Sequence, residues 1–198
     1  MYLYGASGHG KVVAEIAEEN NYTIEAYIDE DLSKKELLGY SVIHEIPKEN
    51  IEVTISIGNN KTRKKIVTDH HDFKYSILSH PRAIISVRAS IGEGTVVMPG
   101  ATINSESRIG RHCIINTNAS IDHDCVVHDF VHLSPNVALA GGVEVGEGTH
   151  IGIGTSVIQG VKIGKWCTIG AGAVIIKDIP DGVTVVGNPG KIIKINDL

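Results

Sequence analysis

Aromatic residues make up only 5% of this 198-residue chain, which holds three cysteines, six prolines, two methionines and one tryptophan. An odd cysteine count without CxxC spacing argues against both a disulfide framework and a structural zinc site. Eighteen basic residues against twenty-three acidic leave a formal charge of −5, with no basic run that would mark a nucleic-acid footprint. No stretch approaches the roughly eighteen consecutive apolar residues of a membrane span. The opening MYLYGASGHG is too short and too polar for a signal peptide. These absences predict a cytoplasmic protein with neither nucleic-acid nor membrane partners. What is present is a hydrophobic fraction of 42%, enough for a packed interior, and 22 glycines, which favour tight turns over ring-filled cores.

Two patterns divide the chain near residue 80. Over residues 1–80, strand-like MYLYG, IEAYID, VTISIG and YSILS alternate with helix-like KVVAEIAEEN and KTRKKIVTDHH. This predicts a small α/β unit, a Rossmann-like βαβαβ sheet. Over residues 81–198 a period of six takes over. Fifteen consecutive hexads, from IGEGTV at Ile91 to IIKDIP at Ile175, begin with Ile, Val or Leu without insertion or deletion. If about a quarter of residues were branched aliphatic, chance would produce this run with odds on the order of 10⁻⁹. The fifth place, from Thr95 to Ala173, holds nothing larger than valine. Two periodic positions on one side of a strand describe a parallel β-helix, three hexads to a coil, with large and small side chains filling a narrow interior. Cys113, Cys125 and Cys167 all fall on the small inward place and read as inert core thiols.

The dense stretch IDHDCVVHDFVH, residues 121–132, then separates by register. Ile121, Cys125, Val127 and Val131 point inward. His123 and Asp124 occupy a corner, where adjacent side chains can share a lateral cleft and a carboxylate can fix the tautomer of an imidazole acting as a base. His132 lies at the outward sixth place, with His150 stacked one coil beyond it, and His128 reads as surface. In the first domain, GASGHG follows a strand and precedes a helix, so its backbone and helix N–H groups suit an anion. Its GxxGxG spacing does not meet the GxGxxG dinucleotide fingerprint, and NAD binding is rejected.

The hexads resemble those of the hexapeptide-repeat acyltransferases. YGASGHGKVV, IGNNKTRKKI, HPRAIIS, NTNASIDHDC and VVGNPGKIIK together resemble, in order and over nearly the whole chain, the bacterial nucleotide-sugar acetyltransferases that N-acetylate UDP-4-amino-4,6-dideoxy sugars for glycan and pilin glycosylation. Sialic-acid O-acetyltransferase-like proteins are near relatives. The resemblance implies a left-handed β-helix, a homotrimer with active sites between subunits, acetyl-CoA as acyl donor and no metal. It places Ser7, Gly8 and His9 near the nucleotide phosphates, Asp29 and Glu30 near the uridine, and Gly58, Asn59 and Asn60 in the same cleft. Where IDE stands here the family often has two aspartates. The resemblance also puts the base at His123 with Asp124 as its acidic partner, Asn116 near the sugar, and His132 near the thioester. It also makes Asn188, Pro189 and Lys191 a CoA-binding turn in which Gly190 replaces another small residue. By the stacking register Gly141 and Gly142 lie near His123, where they either let the pantetheine arm approach or simply turn a tight corner.

Two other classes of function compete. A metal enzyme of the γ-carbonic-anhydrase type would gather three histidines on zinc, but His123, His128 and His132 fall at the third, second and sixth places, and that family lacks a GASGHG domain. A catalytically silent sugar-nucleotide-binding scaffold has the same residues without turnover. Within the transferases, nothing in the repeat distinguishes N- from O-acetylation, because a corner base can deprotonate either nucleophile. The match over both domains favours the amine.

Overall fold

The computed structural model describes residues 1–48 and 50–195. The first domain runs β1 (Tyr2–Tyr4), α1 (Gly8–Glu19), β2 (Ala26–Ile28), β3 (Glu36–Leu37), β4 (Tyr40–Ile43), β5 (Glu52–Ile55), α2 (Asn60–Asp69) and β6 (Lys74–Tyr75). They form a six-stranded sheet in the order β3-β4-β2-β1-β5-β6. Because β1 pairs in parallel with β2 on one side and β5 on the other, the connections depart in opposite directions from it. The loops after β1 and β5 therefore flank one crevice, the place where open α/β sheets take ligands.

Two features differ from the sequence reading. The β3–β4 hairpin was not foreseen. Its turn is Leu38–Gly39, both at positive φ (+53° and +82°), and a leucine at the first turn position hides the usual Asn-Gly signal. YSILS is two strands, not one. Lys74–Tyr75 closes the α/β sheet on β5, whereas β7 (Leu78–Ser79) pairs with Val96–Val97 and opens the coil. An apolar run carries no mark of the turn between them.

From β7 onward each hexad adds a two-residue strand to one of three faces, and equivalent residues eighteen apart pair in parallel, as Ile114 with His132 and His132 with His150. The first face contains β7, His132–Leu133 and His150–Ile151; the second Ser120–Ile121; the third Val126–Val127. The inward register is as read from sequence. First-place residues from Val97 to Ile175 are at most 4% exposed, and fifth-place residues from Thr95 to Ala173 at most 5%. All three cysteines are free and buried, with the Cys113 thiol donating to the His128 carbonyl and pushed up to about 12 by burial. The corner is turned at the fourth place, where all fourteen residues from Gly94 to Gly172 have positive φ. Half are glycine, while Asn118, Asp124 and Asn136 are types that tolerate the left-handed region. Phe130 and Trp166 do not fit that rule.

Domain docking explains those aromatics. Residues 112, 130, 148 and 166 stack at the corner between the third and first faces, with His112 and Phe130 at 5.3 Å and 10°. Helix α2 lies against this ladder. Lys64 sits 5.2 Å from the Trp166 ring centroid and pairs with Glu147 at 2.5 Å, and Asn60 donates to the carbonyls of Gly148 (3.0 Å) and Thr149 (3.3 Å). Helix α1 covers the start of the first face. There the outward residues Val96 and Ile114 share a core with Leu3, Val13 and Ala17. Outward places on this face turn polar at His132, where the cover ends. Among the described residues no helix is long and apolar enough to cross a membrane.

Ile121→Ala should cost about 2–5 kcal/mol of stability, because it leaves a cavity in a fully closed coil. Ile84→Ala, at a residue 68% exposed, should stay within about 0.5 kcal/mol. Urea unfolding of both variants checks the assigned register.

Candidate active site

The crevice of the α/β domain is built by GASGHG. A Cβ at Gly10 would lie 2.5 Å from the Gly5 carbonyl oxygen, so α1 can pack this closely on the strand turn only with glycine there. Ser7 is the N-cap of α1 yet its hydroxyl makes no capping bond, leaving it exposed beside the helix N-terminus, with open space over Gly8. Asp29 anchors the loop by accepting from Ala6 N–H (2.8 Å), Asp31 N–H (3.0 Å) and Lys34 Nζ (2.7 Å). Burial works to raise its pKa, but these bonds outweigh it and hold the carboxyl below the usual range. Glu30 is exposed at the rim. His9 Nε2 is buried without a hydrogen-bond partner among the described residues, and burial followed by the charge of Arg63 pushes its pKa down to about 4.

Across from this loop stands the first face of the coil. Gly58, Asn59, Lys61, His132, His150 and Trp166 line a cleft of about 480 Å³. Asn59 is committed to capping α2 through Thr62 N–H (2.9 Å), and Asn60 to docking. Both line the cleft, as the sequence reading expected; Asn60 has both ends of its amide bonded, whereas Asn59 uses only Oδ1 in its cap. His132 is held at both nitrogens: Nδ1 donates to the Gly58 carbonyl (3.3 Å), and Nε2 accepts from Asn116 Nδ2 (3.2 Å). It stacks on His150 at 4.8 Å and lies 6.4 Å from His9. Burial, with His150, Arg63 and His9 nearby, pushes its pKa down to about 3. A bond to a thioester would require one of its two existing partners to be exchanged. His150, read as a surface stack, lines the same cleft and pairs through Nε2 with Ser134 Oγ at 2.8 Å.

His123 and Asp124 lie elsewhere. Their corner joins the second face to the third, so a three-sided coil puts it opposite the first face with its cleft. His123 Nδ1 donates to Asp124 Oδ2 at 2.7 Å, and both side chains are well exposed. That bond, then the charge of Asp122, raises the His123 pKa above its ordinary value. Asp124 reaches the ring because its backbone is left-handed, φ +59°. On the next coil a Cβ at Gly141 would lie 2.6 Å from His123 Cε1 and Nε2, so the imidazole occupies space that only glycine leaves. The Gly142 N–H donates to the His123 carbonyl, tying the two corners together (2.9 Å).

At the C-terminal end, Pro189 and Lys191 line a second cleft of about 240 Å³ with Ile175, Ile176, Lys177 and Gly190. Gly190 N–H donates to the Val174 carbonyl, and a Cβ there would lie 2.8 Å from Ile175, so the small residue keeps this turn against the coil. Asn188 precedes Pro189 in the same turn. The three histidines of the competing metal reading do not converge. His123 is on the far corner, His128 Nε2 donates to Glu144 (3.0 Å), and His132 is enclosed in the cleft. Sequence reasoning missed Arg63, Lys61 and Trp166. The signal for Trp166 was a large ring at the fourth place, where small residues prevail.

Comparison with known proteins covers both parts of the chain. The PglD N-terminal domain family matches residues 1–69, and the bacterial transferase hexapeptide family, described as six repeats, matches 88–123 and 142–177. Perosamine N-acetyltransferase from Caulobacter crescentus, solved with CoA and GDP-perosamine, is 38% identical with a TM-score of 0.93, over 98% of this chain and 96% of that one. The acetyltransferase domain of PglB from Neisseria gonorrhoeae, also solved with acetyl coenzyme A, is 40% identical with a TM-score of 0.92, over 97% and 98% of the two chains. UDP-N-acetylbacillosamine N-acetyltransferase of Bacillus subtilis is 42% identical over 109 residues, which span 48% of this chain and 50% of that protein.

Because Asp124 is the main cause of the raised His123 pKa, Asp124→Asn should move the His123 titration to lower pH. Histidine proton NMR across pH 5–8 measures the shift. An unmoved midpoint would mean that the short contact carries no proton coupling.

Proposed function

The chain belongs to the hexapeptide-repeat sugar N-acetyltransferases, and on that premise we propose that it transfers acetyl from acetyl-CoA to the 4-amino group of a UDP-linked 4-amino-4,6-dideoxy-N-acetylhexose. The observation that carries the reading is the His123–Asp124 pair, whose Nε2 faces an open corner over Gly141. Support for the amine over a hydroxyl comes from the relatives, two of which are named for N-acetylation.

Asp124 fixes the proton on Nδ1, which leaves Nε2 as the basic nitrogen. As the sugar nitrogen bonds to the thioester carbonyl carbon, Nε2 takes the amine proton. Collapse of the tetrahedral intermediate breaks the C–S bond, and the imidazolium returns the proton to the departing CoA thiolate. The Gly141 N–H donates to no acceptor among the described residues and lies one coil from His123, so it serves as donor to the oxyanion. The donor would run along the Gly141–Gly142 corner towards the C-terminal cleft, where Lys177 and Lys191 suit CoA phosphates. The nucleotide would lie in the α/β crevice. Its phosphates would face Ser7, Gly8 and His9 at the start of α1, and its base would lie near Asp29 and Glu30.

Within one subunit His123 and this crevice lie on opposite sides of the coil. A complete site therefore takes His123 and Asp124 from one copy and the crevice from a neighbour, which a homotrimer supplies three times.

A panel of UDP- and GDP-linked amino sugars with acetyl-CoA, read by free thiol and product mass, tests the activity; no thiol release with any amino sugar overturns it. His123→Ala should lower turnover roughly 10²–10⁴-fold with acetyl-CoA binding preserved. Mixing His123→Ala subunits with Asp29→Ala subunits should restore part of the activity if sites are shared. Failure of every mixture to exceed either variant alone would place each site within one subunit.

A further inference from the structure

Arg63 is 1% exposed and, among the described residues, has no carboxylate partner. Its five N–H donors are all used on oxygens. Nε donates to the His112 carbonyl (2.7 Å), Nη1 to Ile57 (3.0 Å) and Gly58 (3.2 Å), and Nη2 to Phe130 (2.9 Å) and Asn60 Oδ1 (2.9 Å). Two of these carbonyls belong to the coil corner and two to the loop after β5. An unpaired buried charge is expensive, so a fully satisfied planar fork at this junction is a built feature.

We propose that Arg63 is a positioning residue that, by holding the Gly58 carbonyl, fixes the tautomer of His132 and thereby which group Asn116 presents to the acceptor sugar. The relay can be followed atom by atom. Gly58 C=O accepts from His132 Nδ1, so that nitrogen carries the hydrogen and Nε2 must be an acceptor. Asn116 therefore turns its NH₂ towards Nε2, while its Oδ1 accepts from Thr117 N–H at 2.8 Å. The remaining Asn116 N–H is a donor, and it suits an acceptor atom on the sugar such as a hydroxyl or acetamido oxygen.

Among the described residues the titratable and charged groups facing His132 are His9 on α1, Arg63 and Lys61 on α2, and His150 on the next coil; none of these is a carboxylate. The positive charge of Arg63 thus also opposes protonation of the ring, in the same direction as burial. This assignment rests on the proposed function only where turnover is concerned, since the tautomer is measurable without substrate.

Long-range ¹H–¹⁵N NMR of histidine-labelled protein tests it, with His132→Gln used for assignment. Wild type should show His132 as the Nδ1–H tautomer, not titrating between pH 5 and 8. Arg63→Met should lose the fixed tautomer and titrate at higher pH. Arg63→Lys retains the charge but not the fork, so it should keep His132 neutral while its tautomers mix. It should also lower kcat about 10²-fold with little change in KM. An Nε2–H tautomer in wild type overturns the proposal, whether or not the Met variant folds. So does a fixed Nδ1–H tautomer in folded Arg63→Lys. Absence of acetyl transfer by wild type would overturn the function and leave the NMR result intact.

Discussion

Parallel backbone pairing of each residue with its equivalent eighteen positions on is the constraint from which the rest of the molecule follows. It requires three equal sides, so each hexad must turn its corner in the same way. The recurring left-handed fourth place is the consequence. Eighteen-residue stacking also makes the outer surface a set of columns. Neighbours in a column are about 4.8 Å apart, which is the distance at which His132 and His150 stack. A substitution in such a column is felt by the residue above, as the imidazole of His123 is accommodated by Gly141.

The α/β domain uses one of these columns and one of these corners. On the first face the outward residues Val96 and Ile114 are apolar because α1 covers them, and the column becomes histidine where the cover stops. At the neighbouring corner, α2 spreads Asn60, Arg63 and Lys64 over backbone carbonyls and aromatic rings. Docking and cleft formation are one event, since the bonds that attach the domain also enclose the cleft wall.

Electrostatics differ between the two sides of the coil. In the cleft, burial and the nearby charge of Arg63 hold His9 and His132 well below the ordinary histidine range, so they stay uncharged at neutral pH. At the open corner, an adjacent carboxylate raises the His123 pKa. The same side-chain type is thus a neutral strut on one side and a more readily protonated, exposed imidazole on the other, as desolvation and carboxylate contact act with opposite sign.

Much of this was legible in the chain itself. A period of six with branched residues at the first place and small ones at the fifth determined the coil, its interior and the burial of the cysteines, because backbone pairing repeats one steric requirement fourteen times over. The pair His123–Asp124 was legible for the same reason: register alone put both at a corner. The β3–β4 hairpin and the break within YSILS were not, since a leucine in a left-handed turn and an uninterrupted apolar run carry no local mark. Nor were the tasks of Asn59, Asn60 and Asn116, whose amides face partners 3, 88 and 16 residues away. Arg63 resembled any solvated lysine-rich helix residue in sequence, and its burial comes from two elements distant in the chain. Local periodicity can encode which way a side chain points. Only the tertiary structure decides what it meets there, because docking brings together groups whose spacing in sequence has no period.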